Sequence, residues 1–157
     1  MKKLIMVSGS TRLIKNPPQP IPAIQRFDGV FIRLIRKYYR QTRNLDILIL
    51  SPVYGLISGE EKIEFKEPIG ESWRELNLDS NTISKIRESN LKKLTKWLSK
   101  RKYTEIYVNI GKNMLKLIEG FEKIVPQTTN ITYAQGPGIG PKMAHMKNWI
   151  ESRICKT

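Results

Sequence analysis

The chain has 157 residues, 39% of them hydrophobic, with 28 Lys and Arg against 14 Asp and Glu and a formal net charge of +14. This length and apolar content suit a single domain, residues 1–157, with a core of its own, and exclude a disordered chain. The charge points to acidic partners, nucleic acid first, because a basic face gains affinity by releasing counterions from phosphates; solubility is the competing use.

No run of residues approaches a membrane span, and the apolar stretch after Lys2 and Lys3 is too short for a secretory leader. The one cysteine, Cys155, has no partner for an internal disulfide and suits a reducing interior, so a cytoplasmic protein is expected.

A first strand is expected over residues 4–7. It runs into Ser8-Gly9-Ser10-Thr11-Arg12, then Lys15 and a stretch holding Pro17, Pro18, Pro20 and Pro22. Small residues let backbone amides approach a phosphate or carboxylate, and Arg12 or Lys15 can pair its charge. An ordinary strand-to-helix turn stiffened by prolines is the alternative. The Gly-Lys-Ser/Thr ending of a Walker loop is missing.

The spacing predicts a helix over 28–41, with Phe31, Leu34, Ile35 and Tyr38 as its buried stripe. Arg33, Arg36, Lys37 and Arg40 recur at i, i+3, i+4 and i+7, and Arg43 follows. No acid lies between Phe31 and Arg43, so this face reads as a phosphate track or as a solvated basic surface.

A second strand is expected over 47–50, apolar throughout as a strand covered on both faces should be. Pro52 cannot donate to a continuing ladder, so the chain should present a loop here, where open α/β sheets bind ligands. That places Ser51, Tyr54 and Glu60 at a candidate site. Glu60, Glu61, Glu64, Glu67 and Glu71 form the one acidic concentration. Glu60 and Glu61, nearest the strand, are the candidate general bases; otherwise they balance lysines. Residues 58–79 carry no clear period, which implies a functional lid or concealed elements.

A long helix is expected over 82–102, capped by Ser80 or Asn81. Ile83, Ile86, Leu91, Leu94, Trp97 and Leu98 face inward, and its lysines form a second basic surface or a solubilising face. A strand over 106–110, a helix over 112–120 stopped by Gly120 and a weaker strand over 130–133 follow. Gly136, Gly138 and Gly140 then free the backbone before a helix over 141–153 that starts with Pro141 and Lys142. The amides there favour an anion, a tight structural turn being the alternative, while the glycine spacing is wrong for a dinucleotide fingerprint and no cofactor is expected. His145, the lone histidine, cannot make a metal site; it would be an acid or base only if it faced the crevice. The alternation of elements argues an α/β three-layer sandwich, with a mainly parallel sheet of about four strands and helices on both faces.

Residues 8–12, PIPAIQRFDGVFIRLIRKYYR, ILSPVYGLISGEEKIE and GPGIGPKMAHMKNW together resemble the YaaA-like family of uncharacterised small domains. Its members pair a first-strand loop of the Ser-Cys-Gly-Lys or Ser-Cys-Ser type with an Ala-x-x-x-Tyr-x-Gly-x-Phe helix entry and a Ser-x-x-Tyr-Gly-Leu motif. The middle segment is also similar to the core domain of archaeosine synthase, whose class modifies a deazaguanine base in transfer RNA. The resemblance implies a fold related to uracil-DNA glycosylase-like and YaaA-like domains and an association with nucleic acids. It points to Ser8, Ser10, Arg26, Phe27, Gly29, Ser51, Tyr54, Gly55, Glu60 and Gly138. Gly9 stands where many relatives have Cys, and Phe27 where Tyr is common, so a mechanism using a cysteine in this loop is excluded. An RNA-binding PUA domain has no room, so an archaeosine-synthase-like activity would need a partner protein.

The expected site is a crevice between the loop after the first strand, residues 51–61 and residues 136–142, accommodating a nucleotide or modified base. Tyr54 would stack on the base, Ser8, Ser10, Arg12 and Lys142 would hold phosphate or ribose, and Glu60 or Glu61 would accept a proton in base modification. The alternative is a non-catalytic DNA- or RNA-binding module whose affinity comes from the face over residues 33–40.

Overall fold

The structure is a computed structural model that describes residues 2–10, 12–66 and 79–154. Glu67, Glu71, Cys155 and most of the 58–79 segment lie outside the described residues. Strand β1 (Lys3–Ser8) runs parallel to β3 (Leu45–Ser51) on one side and to β6 (Glu105–Asn109) on the other, and β7 (Asn130–Tyr133) extends the sheet beyond β6. Strand β4 (Gly55–Ser58) closes the order β4-β3-β1-β6-β7 as an antiparallel edge.

Successive strand residues serve opposite faces. Ile5, Val7, Ile47, Ile49 and Tyr107 enter one core, where α2 (Val30–Tyr39) contributes Ile32, Ile35 and Tyr38 and α5 (Ile139–Arg153) contributes Met146, Trp149 and Ile150. Leu4, Met6, Leu48, Leu50 and Val108 enter the other, under Leu94 of α3 (Ser80–Ser99) and Met114 of α4 (Lys112–Leu115). Both faces being covered is why the strands read as continuous apolar runs. The three-layer α/β sandwich stands as expected, with five strands in place of about four.

The added strand is β4. Ser51 pairs with Gly55 across residues 52–54, Pro52 sits in the turn, and Gly55 takes φ 74. A three-residue hairpin loop needs a left-handed residue at that position, which glycine adopts without strain. Pro52 therefore stops the strand as expected, but the chain folds straight back along β3. Asp79, not Ser80 or Asn81, caps α3 by accepting the Thr82 N–H at 2.7 Å. The helix expected over 112–120 is one α turn followed by a 3-10 turn over Lys116–Ile118, and Gly120, at φ 89, ends it.

Between β1 and α2 the chain makes β2 (Ile21–Pro22) and α1 (Ala23–Arg26), and β2 pairs antiparallel with β5 (Lys62–Ile63). Arg26 holds this layer. Its side chain is fully buried, and its guanidinium donates to the carbonyls of Ile14 (2.8 Å), Pro17 (2.9 Å) and Gln19 (2.8 Å), with longer contacts to Ile63 (3.3 Å) and Lys15 (3.4 Å). Loop carbonyls with no ladder partner are satisfied by a single planar five-donor group.

Candidate functional site

In this topology the chain leaves β1 toward β3 on one side and returns to β6 on the other, so the strand order reverses between β1 and β6. The crevice beyond the carboxyl ends of those two strands is the expected ligand position. It is bordered by Ser8, Gly9 and Ser10 after β1 and by Ile110, Gly111, Lys112 and Asn113 after β6. The Gly111 N–H donates to Ser8 Oγ at 3.1 Å, tying the two loops together. The turn over residues 52–54 flanks the β3 side, and residues 134–138 flank the β7 side.

The fold thus brings the loop after β1, residues 136–142 and, of the expected 51–61 loop, the turn over 52–54 to one end of the sheet, and adds a fourth loop, over residues 110–113, that sequence reasoning passed over. Its Asn109-Ile110-Gly111-Lys112 has the same small, polar and cationic makeup as the first loop. That signal was present but read only as the end of a strand and the start of a helix.

Helices α2 and α5 begin at this end, at Gly29 and Gly138, and neither has a side-chain cap. Their first-turn amides carry the positive end of the helix dipole. Gly138 holds φ 79 and Gly136 φ 126, where a Cβ would lie 2.5 Å from Pro141 Cβ. Gly140 and Lys142 lie in the first turn of α5. The large hydrophobic residues exposed among the described residues are Val30 (41%), Tyr133 (39%) and Ile139 (60%), at the start of α2, the end of β7 and the start of α5. Amide donors and apolar contact surface therefore share one rim.

Several expected ligand residues are committed elsewhere. Arg26 is buried on carbonyls, as above, and Phe27 is buried with its ring against Gly9 and Tyr54: a Cβ on Gly9 would lie 2.7 Å from Phe27 Cε1, and the Phe27 and Tyr54 rings meet edge-on at 6.0 Å. This close approach explains why glycine stands where the resemblance expects cysteine. Buried Ser51 accepts the N–H groups of Val53 and Tyr54, both at 3.2 Å, and so shapes the turn. Tyr54 donates its hydroxyl to the Glu64 carbonyl and carries Lys66 Nζ 5.2 Å over its ring. Burial raises its pKa. The expected stacking platform is a wall of the loop layer, because its edge and face are occupied. Gly55 faces Asn90 and Lys93 of α3, and Lys15 lies over the Phe65 ring at 5.8 Å. Ser10 Oγ donates to the Arg12 carbonyl at 2.9 Å.

Glu60 and Glu61 require a correction. Because β4 reverses the chain, Gly59 donates to the Ile47 carbonyl at 2.8 Å, near the start of β3. At about 3.4 Å per residue, four residues separate this point from the Gly55 turn by roughly 13 Å. Both carboxylates consequently lie toward the opposite end of the sheet from the crevice. Glu60 accepts the Tyr39 hydroxyl at 2.5 Å, and burial, then Glu60, raises the Tyr39 pKa.

The basic face of α2 is also less bare than its sequence implies. Asp28, at the helix entry, accepts from Arg33 Nε (3.0 Å) and Nη2 (2.9 Å). Arg36 and Arg12 approach it at 3.8 and 3.7 Å. The Arg33 hydrogen bonds hold the Asp28 carboxyl below its usual range, against an upward push from burial. Arg36 also donates to the Phe27 carbonyl at 2.8 Å, and burial lowers its pKa. Lys37, Arg40 and Arg43 are exposed. Among the described residues they make no ion pair.

His145 meets Tyr107 at 2.7 Å through Nδ1. Burial pushes the buried Tyr107 phenol up to about 12, so it remains protonated. Asn90, which sequence reasoning also missed, is buried in α3; its Oδ1 accepts the Leu56 N–H and its amide donates to the Leu117 carbonyl, both at 3.1 Å. Among the described residues no three His, Cys, Asp or Glu side chains gather as metal ligands would, and no helix is long and apolar enough to cross a membrane.

No family model matches the chain, and no curated protein matches it. Among solved structures it is similar to the crystal structure of AF0587, a protein of unknown function, with a TM-score of 0.50 and 14% identity over 96% of this chain. The chain spans 45% of the length of that protein. At this identity the likeness supports the α/β fold alone.

Proposed function

We propose that the protein is a nucleic-acid-associated α/β domain in which the strand-end crevice receives a nucleotide or base and exposed cations engage the polymer. The observation that carries this reading is the convergence at one rim of two helix starts without side-chain caps, exposed Val30 and Ile139, and Lys112 and Lys142, in a chain of net charge +14. Amide donors and cations suit phosphate, and the apolar residues suit a base or ribose. The position of Glu60 and Glu61 leaves a base-modification reaction without its expected proton acceptor. The binding reading is therefore preferred to the tRNA-modifying one suggested by the resemblance to archaeosine synthase.

Polymer contact falls to Lys37, Arg40 and Arg43, since Arg33 and Arg36 share Asp28. The test is fluorescence anisotropy with labelled single-stranded RNA and DNA over a salt series. Lys37→Glu/Arg40→Glu/Arg43→Glu should weaken binding at least tenfold and reduce the log–log salt slope by about 2, at about 0.7 per lost single-strand phosphate contact. Wild-type protein that binds neither polymer at low salt refutes the reading.

A further inference from the structure

Helix α3 closes one face of the sheet with Leu94 fully buried, but its flank toward the edge strand β4 is cationic. Lys93, Lys96, Lys100 and Arg101 form one wall of a groove of about 310 Å³. Leu48 and Leu56 supply its apolar lining. Glu61 is the one carboxylate among its lining residues. The groove runs beside β4, away from the strand-end crevice.

Three features make it more than a solvated lysine face. Lys93, Lys96 and Lys100 follow one another at i, i+3 and i+7, which puts them on one side of the helix over about 10 Å of rise. Glu88, the one acid within α3, pairs with Lys92 at 3.3 Å, and Glu119, after the 3-10 turn, pairs with Arg87 at 3.2 Å. Trp97 is fixed at the groove by a relay in which its indole N–H donates to the Tyr103 hydroxyl at 2.9 Å and that hydroxyl donates to Asp46 at 2.7 Å. The Arg101 guanidinium lies 3.4 Å from the centre of the indole ring, so its planar fork is held in place at the groove wall.

We propose that this groove binds single-stranded nucleic acid, with Lys93, Lys96 and Lys100 on consecutive phosphates and one base on the apolar lining beside the Trp97–Arg101 stack. A volume on the order of 300 Å³ suits one nucleotide unit, whereas a duplex offers no unstacked base to enter it. An acidic peptide adding a strand to β4 is the competing occupant. The geometry is against it, because Asn90 Oδ1 already takes the Leu56 N–H, a backbone donor that strand addition would use. The inference rests on the nucleic-acid reading above and adds to it a second, separate site.

The test uses the whole 157-residue chain with labelled dT12, a duplex of the same length and labelled polyglutamate. Lys96→Glu/Lys100→Glu should weaken dT12 binding about tenfold or more and lower its salt slope by about 1.4, two contacts at about 0.7 each. Ser58→Trp, at the half-buried end of β4, fills the groove without changing charge; it should weaken dT12 while leaving duplex binding near wild type. If dT12 binding survives both variants but falls with Lys37→Glu/Arg40→Glu, the groove is not the site and the broader reading stands. If polyglutamate competes away the dT12 signal and binds more tightly, the occupant is an acidic chain and the proposal is wrong. If wild type binds no nucleic acid at all, both readings fail together. Far-UV circular dichroism of each variant confirms that the fold is retained.

Discussion

Arg26 separates a structural role from a ligand-binding one. Arg26→Met keeps most of the apolar stem but removes the guanidinium, so the carbonyls of Ile14, Pro17 and Gln19 lose donors at 2.8, 2.9 and 2.8 Å. Each orphaned buried partner costs about 1–2 kcal/mol, which gives about 3–6 kcal/mol for the three. Removing a buried charge that pairs with no carboxylate among the described residues returns part of this, so a net loss of about 3 kcal/mol is expected. That is a large share of the roughly 5–15 kcal/mol that holds a typical domain together. Arg26→Lys keeps the charge but not the planar fork, and should recover less than half of the loss. Urea unfolding followed by circular dichroism reads the midpoint, and limited proteolysis of residues 12–22 reads the loop that Arg26 secures. A methionine variant with a wild-type midpoint and an equally resistant loop would refute the carbonyl-clamp reasoning. If that variant also lost oligonucleotide binding, Arg26 would be a ligand residue after all.

Gly9→Ala places a methyl 2.7 Å from Phe27 Cε1 and 3.2 Å from Ile49 Cγ2. It should destabilise by about 1–3 kcal/mol, partly relieved by Phe27→Leu in a double-mutant cycle; strictly additive costs would show that the two do not touch. Asp28→Asn should cost about 1 kcal/mol or less at pH 7, since the ion pairs are partly exposed. The folded Asp28 pKa lies below the unfolded value of 3.8, so its contribution is present above that value and lost as pH falls through the folded one. The stability gap between wild type and variant should close on acidification through this range, as read by chemical denaturation at several pH values. The same substitution frees Arg12, Arg33 and Arg36 and should tighten nucleic-acid binding at low salt.

Apolar periodicity alone was enough to place the parallel strands, the two-sided core and the helices over it. Burial leaves a residue-by-residue trace: Ile5 and Val7 face one core and Leu4 and Met6 the other, so the run reads as uninterrupted. The glycine-rich starts of the strand-end loops were legible for the same local reason, since each follows directly on its strand. What a side chain bonds to across the fold left no such trace. Arg26 and Ser51 look like ligand groups in sequence because their partners, loop carbonyls and turn amides, are defined only once the chain has folded. Asp28 lies outside the run of cations it neutralises. Glu60 and Glu61 follow a strand by only a few residues, yet an antiparallel return along β3 carries them to the other end of the sheet. Composition and period report how much of each residue is buried and on which side. Chain direction after a turn and the pairing of charges over long separations are set by tertiary packing, and those decided which of the expected residues border the crevice.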